Sequence, residues 1–385
     1  MPVAIPGCKS VSQRILLGAS WASGTTRVHG LSPCQDTADL LQALKMLGLP
    51  MKDLGQGGLE ITGWGGPPPK LPPEIAVGEG GTTLRFLLPL VSASHGETRL
   101  VGASSLFRRP HTPLLDFLQA KGARITPLAD ASGFQVTADG LSSGVWKLPA
   151  QVSSQFASAL WYPAQILPQV EVKVDDTMVS KAYFLLTQKY AKLSFAPIPA
   201  DGYRSLSVPA DPSGATFFEV ASRLLNRPVC FDRPLEAGHP ENEAHSFLKR
   251  FDTHPEEEEA VLDVQDFIDA APALAVLGLF RKGGLTLTGI EGLRHKESDR
   301  VVGIQALGRA VGQEIKLIHS HSLHIPGGGL QGTPGTTFEP QDDHRLAMAA
   351  FLVQLIHPSL RIENAACVRK SFPNFVSTLT QWVSQ

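Results

Sequence analysis

The stretch "GCKSVSQRILLGASWA" (Gly7–Ala22) contains a pattern that recurs along the whole chain. A glycine turn leads through Lys9, Ser10 and Arg14 into an apolar run, and Ser10 with Gln13 has the spacing of a helix capping box. Free N–H groups at a helix start favour anions, and here hydroxyls and two cations stand beside them. The stretch therefore predicts a helix that begins at an anion-binding site.

The same plan returns five more times along the 385 residues. In each copy a turn of Gly, Ser, Thr or Asp precedes a helix rich in Ala, Leu and Phe. The later starts are predicted at Thr82, Ser153, Ser213, Asp269 and Asp342. Short β-like runs such as "VEVKV" and "LTLTGI" separate them. The regular spacing favours a repeated unit of strands and helices, although any α/β protein has helices at intervals of this order.

The helices predicted at these starts are apolar on nearly all sides, as "APALAVLGLF" (271–280) illustrates. Such helices are buried inside a domain rather than laid on its surface. We therefore expect central helices with sheets around them.

Composition excludes several classes of protein. The formal net charge of −2 offers no basic surface for nucleic acid or for an anionic membrane. The four cysteines are scattered, which predicts neither a zinc site nor a disulfide framework. There is no recognisable signal peptide, and the apolar runs are too short to span a bilayer. We expect a soluble, cytoplasmic monomer without metal or cofactor.

Cations and hydroxyls collect at the predicted helix starts and nearby turns, and two acids stand out among them. The donors beyond the first helix are Thr82, Thr83, Arg85, Arg108, Arg109, Ser153, Ser154, Gln155, Arg294, Lys296, Arg300, Arg345 and Lys370. Asp269 could be an ordinary N-cap carboxylate, and Glu297 an ordinary ion pair on a helix face. Taken together, two acids among many anion-binding groups predict proton transfer on a polyanionic substrate.

Eight short motifs carry a resemblance to a known family. They are "PGCKSVSQR", "GEGGTTLR", "RRP", "SSQF", "SKAY", "HKESDR", "DDHRLAMA" and "KSFP", in this order over almost the whole chain. The sequence resembles the 5-enolpyruvylshikimate-3-phosphate (EPSP) synthase family. The resemblance implies an α/β fold of two domains, each an inside-out α/β barrel of three βαβαββ units. We place the domains at 9–208, on the shikimate 3-phosphate side, and at 1–8 with 209–385, on the phosphoenolpyruvate and acid–base side.

The resemblance also implies the reaction and its residues. The enolpyruvyl group of phosphoenolpyruvate moves to the 5-hydroxyl of shikimate 3-phosphate, with release of phosphate, in the pathway to chorismate and the aromatic amino acids. By this resemblance Asp269 is the base, Glu297 the acid and Lys9 a catalytic contact to both substrates. Shikimate 3-phosphate would meet Lys9, Ser10, Arg14, Ser153, Ser154, Gln155, Ser180, Tyr183, Asp269 and Lys296. Phosphoenolpyruvate would meet Lys9, Gly81, Arg109, Gln155, Arg300, Arg345 and Lys370.

Two departures from the family pattern leave alternatives open. Glu79 stands where the glycine-rich motif carries Asn, and Gly292 stands where an Asn contacts shikimate 3-phosphate. One alternative is UDP-N-acetylglucosamine enolpyruvyl transferase, for which we would expect Lys-Asn at positions 9 and 10 and a reactive loop cysteine. The other is a non-catalytic relative that binds a phosphate ligand, against which the retention of Lys9, Asp269 and Glu297 argues.

Overall fold

The computed structural model describes residues 1–55, 57–149, 153–174, 178, 180–329 and 336–385. The chain divides into two compact units, each with its own hydrophobic core. The first unit is Gly7–Pro209, and the second is Met1–Pro6 together with Ala210–Gln385. The functional roles assigned to the predicted domains, 9–208 and 1–8 with 209–385, stay a prediction.

The first unit alternates helices with short strands. Its helices are α1 (Lys9–Trp21), α2 (Gln35–Met46), α3 (Gly81–Ser92), α4 (Ser104–Phe107), α5 (Thr112–Ala120), α6 (Ser154–Ile166) and α7 (Lys181–Ser194). Its strands are β1 (Ser23–His29), β2 (Met51–Gly55), β3 (Gly58–Trp64), β4 (Glu74–Gly78), β5 (His95–Gly102), β6 (Arg124–Pro127), β7 (Gly133–Asp139), β8 (Gly144–Leu148), β9 (Val170–Val174) and β10 (Tyr203–Ser207).

One sheet of this unit shows the repeated unit in full. Its strand order is β4-β5-β7-β6, in which β4 and β5 are parallel and the other neighbours antiparallel. With α3 and α5 between the strands, the chain order is βαβαββ. A second sheet has the order β10-β1-β3-β2, so the last strand of the unit takes the first position beside β1. Strands β8 and β9 form a parallel pair.

The second unit repeats this organisation. Its helices are α8 (Pro212–Leu224), α9 (Asn242–Phe251), α10 (Ala271–Phe280), α11 (Arg300–Ala310), α12 (His344–Ile356) and α13 (Phe375–Val383), with 3₁₀ turns at Glu291–His295 and Ala365–Lys370. Its strands are β11 (Ala260–Asp263), β12 (Leu285–Thr288), β13 (Lys316–Ile318), β14 (Ser322–Ile325), β15 (Thr337–Phe338) and β16 (Arg361–Ile362). The sheet β11-β12-β14-β13 with α10 and α11 is again βαβαββ, and β15 pairs with β16.

Three central helices form the core of each unit. Helices α1, α3 and α6 pack on one another in the first unit, and α8, α10 and α12 do so in the second. Residues 271–279 of α10 are buried throughout, as an all-apolar helix requires. These six helices are the ones predicted from the sequence, and their burial is confirmed. Within the described residues no helix combines the length and the hydropathy that crossing a membrane would need.

The predicted capping box of the first helix is wrong. Helix α1 begins at Lys9 after Cys8, which gives no side-chain cap. Gln13 is fully buried and its amide donates to Thr83 Oγ1 at 3.0 Å, so it joins two helices instead of closing its own first turn. Ser153 is a cap as predicted, because its Oγ accepts from the Gln155 N–H.

Candidate active site

Gln155 joins the starts of two central helices of the first unit. Its Nε2 donates to Thr82 Oγ1 of α3 at 3.1 Å, and its Oε1 accepts from Arg85 Nη1 at 2.5 Å. Arg85 is buried and lies over the Phe156 ring. The side chain of Gln155 is therefore held in one orientation by two partners, as recognition of a substrate requires.

Lys9 is held by a buried carboxylate. Its Nζ lies 3.0 Å from Asp36 Oδ2, and the side chain of Asp36 is 5% exposed. This pair fixes the ammonium at the start of α1. Asp36 was not predicted, because an acid in the first turn of a helix is usually explained by the helix dipole alone.

Arg14 is buried and contacts Tyr183, another residue of the predicted site. Its Nε donates to Thr187 Oγ1 at 2.8 Å, its Nη2 donates to the Tyr183 carbonyl at 3.2 Å, and its Nη1 donates to the Ser10 carbonyl at 2.9 Å. Burial lowers the pKa of Arg14 from its ordinary value. Three predicted residues, Ser10, Arg14 and Tyr183, are thus brought together by direct bonds.

Ser153 and Ser154 stand at the start of α6, and Ser180 stands at the start of α7. Helices α6 and α7 pack against each other. Ser180 has φ +52° and ψ +46°, a left-handed conformation that costs a non-glycine residue about 1–2 kcal/mol. Non-glycine residues held in such a conformation are frequent at functional sites.

Gly81 allows a guanidinium close to the start of α3. A Cβ at this position would lie 3.1 Å from Arg109 Nη1, tighter than ordinary van der Waals contact. The turn that carries Arg109 is held from two sides. Arg85 Nη2 donates to the Pro110 carbonyl at 3.1 Å, and the ring Nε2 of His111 lies 2.9 Å from the Leu106 carbonyl.

His111 should make the first unit sensitive to acid. Burial, with the nearby charges of Arg85 and Arg109, lowers its pKa to about 4, whereas an unfolded His has about 6.5. The unfolded chain therefore binds the proton more tightly, so stability is full above pH 6.5 and is lost as the pH falls towards 4. We expect this group alone to lower the unfolding free energy by about 2 kcal/mol between pH 8 and pH 5.

Denaturant unfolding at the two pH values measures this effect. In His111→Asn the unfolding free energy should no longer show this fall between pH 8 and pH 5. His95→Asn is the control and should keep the wild-type pH dependence, because His95 is exposed. A constant stability difference between wild type and His111→Asn over pH 5–8 would contradict the prediction.

Arg300 binds three carboxylates in the second unit. Its Nη1 lies 2.7 Å from Asp269 Oδ1, its Nη2 3.0 Å from Glu297 Oε2, and its Nε 2.8 Å from Asp343 Oδ2. Arg300 is 1% exposed. Burial by itself would lower the pKa of Arg300, but the three carboxylates raise it above its ordinary value. One permanently charged guanidinium thus joins the predicted base, the predicted acid and Asp343, which was not predicted.

The N-cap explanation of Asp269 is wrong, whereas Glu297 does form an i,i+3 ion pair with Arg300. The N-cap of α10 is Ala270, and the Asp269 carboxylate instead pairs with Arg300 and with Lys296 Nζ at 3.2 Å. Glu297 precedes α11, whose N-cap is Asp299, and its partner Arg300 is buried. Both side chains are mostly buried, with exposures of 18% for Asp269 and 12% for Glu297.

Arg345 is fixed at the starts of two central helices. It belongs to the first turn of α12, and its Nη2 donates to Ser213 Oγ at 2.5 Å and lies 3.6 Å from Asp211 Oδ2. Burial alone would lower the pKa of Arg345, but Asp211, Asp269 and Glu241 raise it. Lys370 is buried at the end of the 3₁₀ turn that packs on α12.

Glu297, Asp343 and His344 have ligand atoms within 4.8 Å of one another, a spacing that a metal ion could use. Both carboxylates of this group, those of Glu297 and Asp343, accept N–H groups of Arg300. The guanidinium therefore compensates their charge in this cluster.

The comparisons with known proteins identify the family of the chain. The family model for EPSP synthase (3-phosphoshikimate 1-carboxyvinyltransferase) matches residues 2–231 and 239–379. A 3-phosphoshikimate 1-carboxyvinyltransferase of Neisseria gonorrhoeae is 28% identical over 98% of this chain and 96% of its own length. The enzyme of the same name from Nitrosomonas europaea is 29% identical over 97% of this chain and 94% of its own length.

Solved structures show the fold. An EPSP synthase from Acinetobacter baumannii superposes with a TM-score of 0.75 at 22% identity, covering 99% of this chain and 95% of that one. The enolpyruvyl transferase NikO from Streptomyces tendae gives 0.68 at 16% identity, covering 99% and 94%. The predicted class, a two-domain α/β fold of inside-out barrels, is confirmed by these neighbours. The fold is thus that of an enolpyruvyl transferase. Within this class, the chain belongs to the EPSP synthase family.

Proposed function

We propose that this chain transfers the enolpyruvyl group of phosphoenolpyruvate to the 5-hydroxyl of shikimate 3-phosphate and releases phosphate. Membership of the family supports the reaction. The observation that carries the assignment of residues is the guanidinium of Arg300, which holds Asp269 and Glu297 on adjacent nitrogens. A base and an acid held side by side suit a reaction in which one proton leaves an oxygen while another reaches a carbon.

The proposed chemistry has two steps. In the first, Asp269 takes the proton of the 5-hydroxyl, whose oxygen bonds to C2 of phosphoenolpyruvate while Glu297 gives a proton to C3. The product is a tetrahedral intermediate with a methyl group at C3. In the second step C3 returns a proton to the Glu297 carboxylate, the double bond between C2 and C3 forms again, and the C2–O bond to phosphate breaks. Phosphate leaves with the electron pair of that bond, so atoms and charge balance.

Arg300 links binding to this chemistry. Its bond to Glu297 at 3.0 Å stabilises the ionised carboxylate, whereas an acid has to carry a proton. An anionic group of phosphoenolpyruvate that binds Arg300 would compete with Glu297 for the same nitrogen. We therefore propose that substrate binding favours the protonated form of Glu297. The other proposed contacts to phosphoenolpyruvate are Lys9, Gly81, Arg109, Gln155, Arg345 and Lys370.

The first unit supplies the proposed contacts to shikimate 3-phosphate. These are Lys9, Ser10, Arg14, Ser153, Ser154, Gln155, Ser180 and Tyr183, with Asp269 and Lys296 from the second unit. Hydrogen bonds to a charged partner contribute about 1.5–3 kcal/mol each. A cluster of several such groups, already held by Asp36, Thr187 and Arg85, supports recognition of a phosphorylated acid.

Release of inorganic phosphate tests the proposed function. Wild-type protein with phosphoenolpyruvate and shikimate 3-phosphate should release phosphate, and omission of either substrate should abolish the release. Activity with UDP-N-acetylglucosamine instead would identify the sister enzyme, which the burial of Cys8 and Cys34 in the first unit argues against. Tight binding of shikimate 3-phosphate without any release would identify a non-catalytic relative. Either outcome contradicts the proposal.

Glu79 should weaken phosphoenolpyruvate binding. It is exposed and directly precedes Gly80, the N-cap of α3, so its charge lies beside the proposed anion site. Arg85 is directed to Gln155 and Pro110. We expect Glu79→Asn to lower the KM for phosphoenolpyruvate roughly 2- to 10-fold, as removal of a like charge at the protein surface predicts.

Steady-state kinetics with varied phosphoenolpyruvate gives this KM directly. Glu74→Gln is the control, because Glu74 is an exposed acid of the same unit that pairs with Arg99. An unchanged or raised KM in Glu79→Asn would show that Glu79 does not oppose binding.

We further propose that the chain works as a monomer in the cytoplasm. Cys8, Cys34, Cys230 and Cys367 are all free thiols, which is typical of a reducing compartment. Light scattering coupled to size-exclusion chromatography should give the mass of a single chain, and a mass of two chains would contradict the proposal.

A further inference from the structure

Glu241 is an acid that is completely buried, at 0% exposure. It precedes α9 as the N-cap residue, yet its side chain makes no cap hydrogen bond to that helix. A buried carboxylate is costly unless polar partners stabilise it. The position of Glu241 therefore needs an explanation other than the stability of α9.

The carboxylate of Glu241 meets the backbone of the proposed base. Its Oε1 accepts the N–H of Asp269 at 3.3 Å. The Asp269 carboxylate, on the same residue, pairs with Arg300 at 2.7 Å and with Lys296 at 3.2 Å. Backbone and side chain of Asp269 are thus held independently. The charge of Glu241 also acts on Arg345, whose pKa it helps to raise.

The turn that carries Glu241 is itself held in place. The Glu241 N–H donates to His239 Nδ1 at 3.2 Å, and its carbonyl accepts from the Ala244 N–H at 3.2 Å. His239 is buried as well. The backbone of Glu241 is therefore fixed, and the complete burial of its side chain restricts where the carboxylate can lie.

We propose that Glu241 is a positioning residue that fixes the backbone of Asp269 through this hydrogen bond and so aims its carboxylate at the proton it removes. The expected effect of Glu241 on kcat rests on the proposed function. Glu241 is not among the proposed substrate contacts, and its side chain accepts a hydrogen bond from the backbone of the base. Its loss should therefore lower turnover without weakening the binding of either substrate.

Three replacements separate the hydrogen bond from charge and packing. Glu241→Leu removes the acceptor, and we expect kcat to fall about 10- to 100-fold, the effect of misplacing a reacting group by about 1 Å. Both KM values should stay within about 3-fold. Glu241→Gln keeps an oxygen at the same position and should restore kcat to within about 5-fold of wild type. Glu241→Asp keeps the charge but shortens the side chain, so it should lose as much activity as Glu241→Leu.

Glu243→Leu is the matched control, because Glu243 lies in the first turn of the same helix and is exposed. Glu241→Leu leaves the Asp269 N–H without its acceptor, so circular dichroism and thermal melting first establish that this variant folds. If it does not fold, the comparison of Glu241→Asp with Glu241→Gln decides the question. The proposal is overturned if a folded Leu or Asp variant keeps kcat within 3-fold of wild type. It is also overturned if KM changes instead, or if Gln is as poor as Leu.

Hydrogen exchange tests the hydrogen bond between Glu241 and the Asp269 amide independently of catalysis. The Asp269 amide, followed in a peptide that spans 265–272, should exchange faster in Glu241→Leu and Glu241→Asp than in wild type or Glu241→Gln. Equal exchange in all four proteins would refute the hydrogen bond. A wild-type protein that lacks activity but shows this exchange pattern would refute the proposed function and leave the positioning role supported.

Discussion

Replacement of Asp269 by Asn should lower kcat about 10²- to 10⁴-fold, the usual contribution of a positioned base. Asn has nearly the same size and keeps an oxygen near Arg300 and Lys296, but it cannot take the proton of the 5-hydroxyl. The substrate contacts of the first unit are unchanged. We therefore expect the loss to fall on kcat rather than on the KM for phosphoenolpyruvate, as measured by steady-state phosphate release.

Asp266→Asn is the control for this prediction. Asp266 is an exposed acid in the same connection between β11 and α10, and its replacement should leave kcat within about 2-fold. If Asp269→Asn kept more than a tenth of the wild-type kcat, Asp269 would not be the base.

The second large effect concerns stability. Arg300→Leu would leave Asp343, which is fully buried, and the carboxylates of Asp269 and Glu297 without their shared cation. Breaking a buried ion pair by removing one partner costs about 3–5 kcal/mol. We expect a melting temperature lower by on the order of 10 °C at pH 7. Part of this loss should be recovered at pH 5, because carboxylates that have lost their cation bind protons more readily.

Arg294→Leu provides the comparison. Arg294 pairs with Asp299 at 3.0 Å, but both side chains are about one third exposed, so the change should cost at most about 1 kcal/mol. Equal melting temperatures for the two variants would show that the Arg300 network contributes no more than a surface pair.

The sequence predicted the central helices well because their burial depends on composition. A helix such as α10, without polar residues among 271–279, can only be stable inside a core. The exact starts were predicted less well. The caps of α8 and α12 are Asp211 and Asp343 rather than Ser213 and Asp342, and each accepts one or two backbone N–H groups of the first turn. Asp and Ser are about equally good caps, so residue type alone does not fix the exact start.

The candidate site was likewise predicted only in part. Residues with recognisable motifs, such as Lys9, Arg14 and Asp269, were predicted, and the structure supplies their immediate partners. Those partners, Asp36, Thr187 and Glu241, were missed because they lie 27, 173 and 28 positions away along the chain. A single sequence gives no signal for contacts at such separations.

The mass of the product formed in D₂O distinguishes the proposed addition–elimination reaction from any other. Wild-type protein with phosphoenolpyruvate and shikimate 3-phosphate should give a compound with the mass of both substrates less one phosphoric acid. Some of it should carry deuterium in the enolpyruvyl methylene group, because C3 gains a solvent-derived proton through Glu297 and then loses one. Absence of this compound would contradict the proposed reaction. A product without any deuterium at C3 would contradict the addition–elimination route and the role of Glu297.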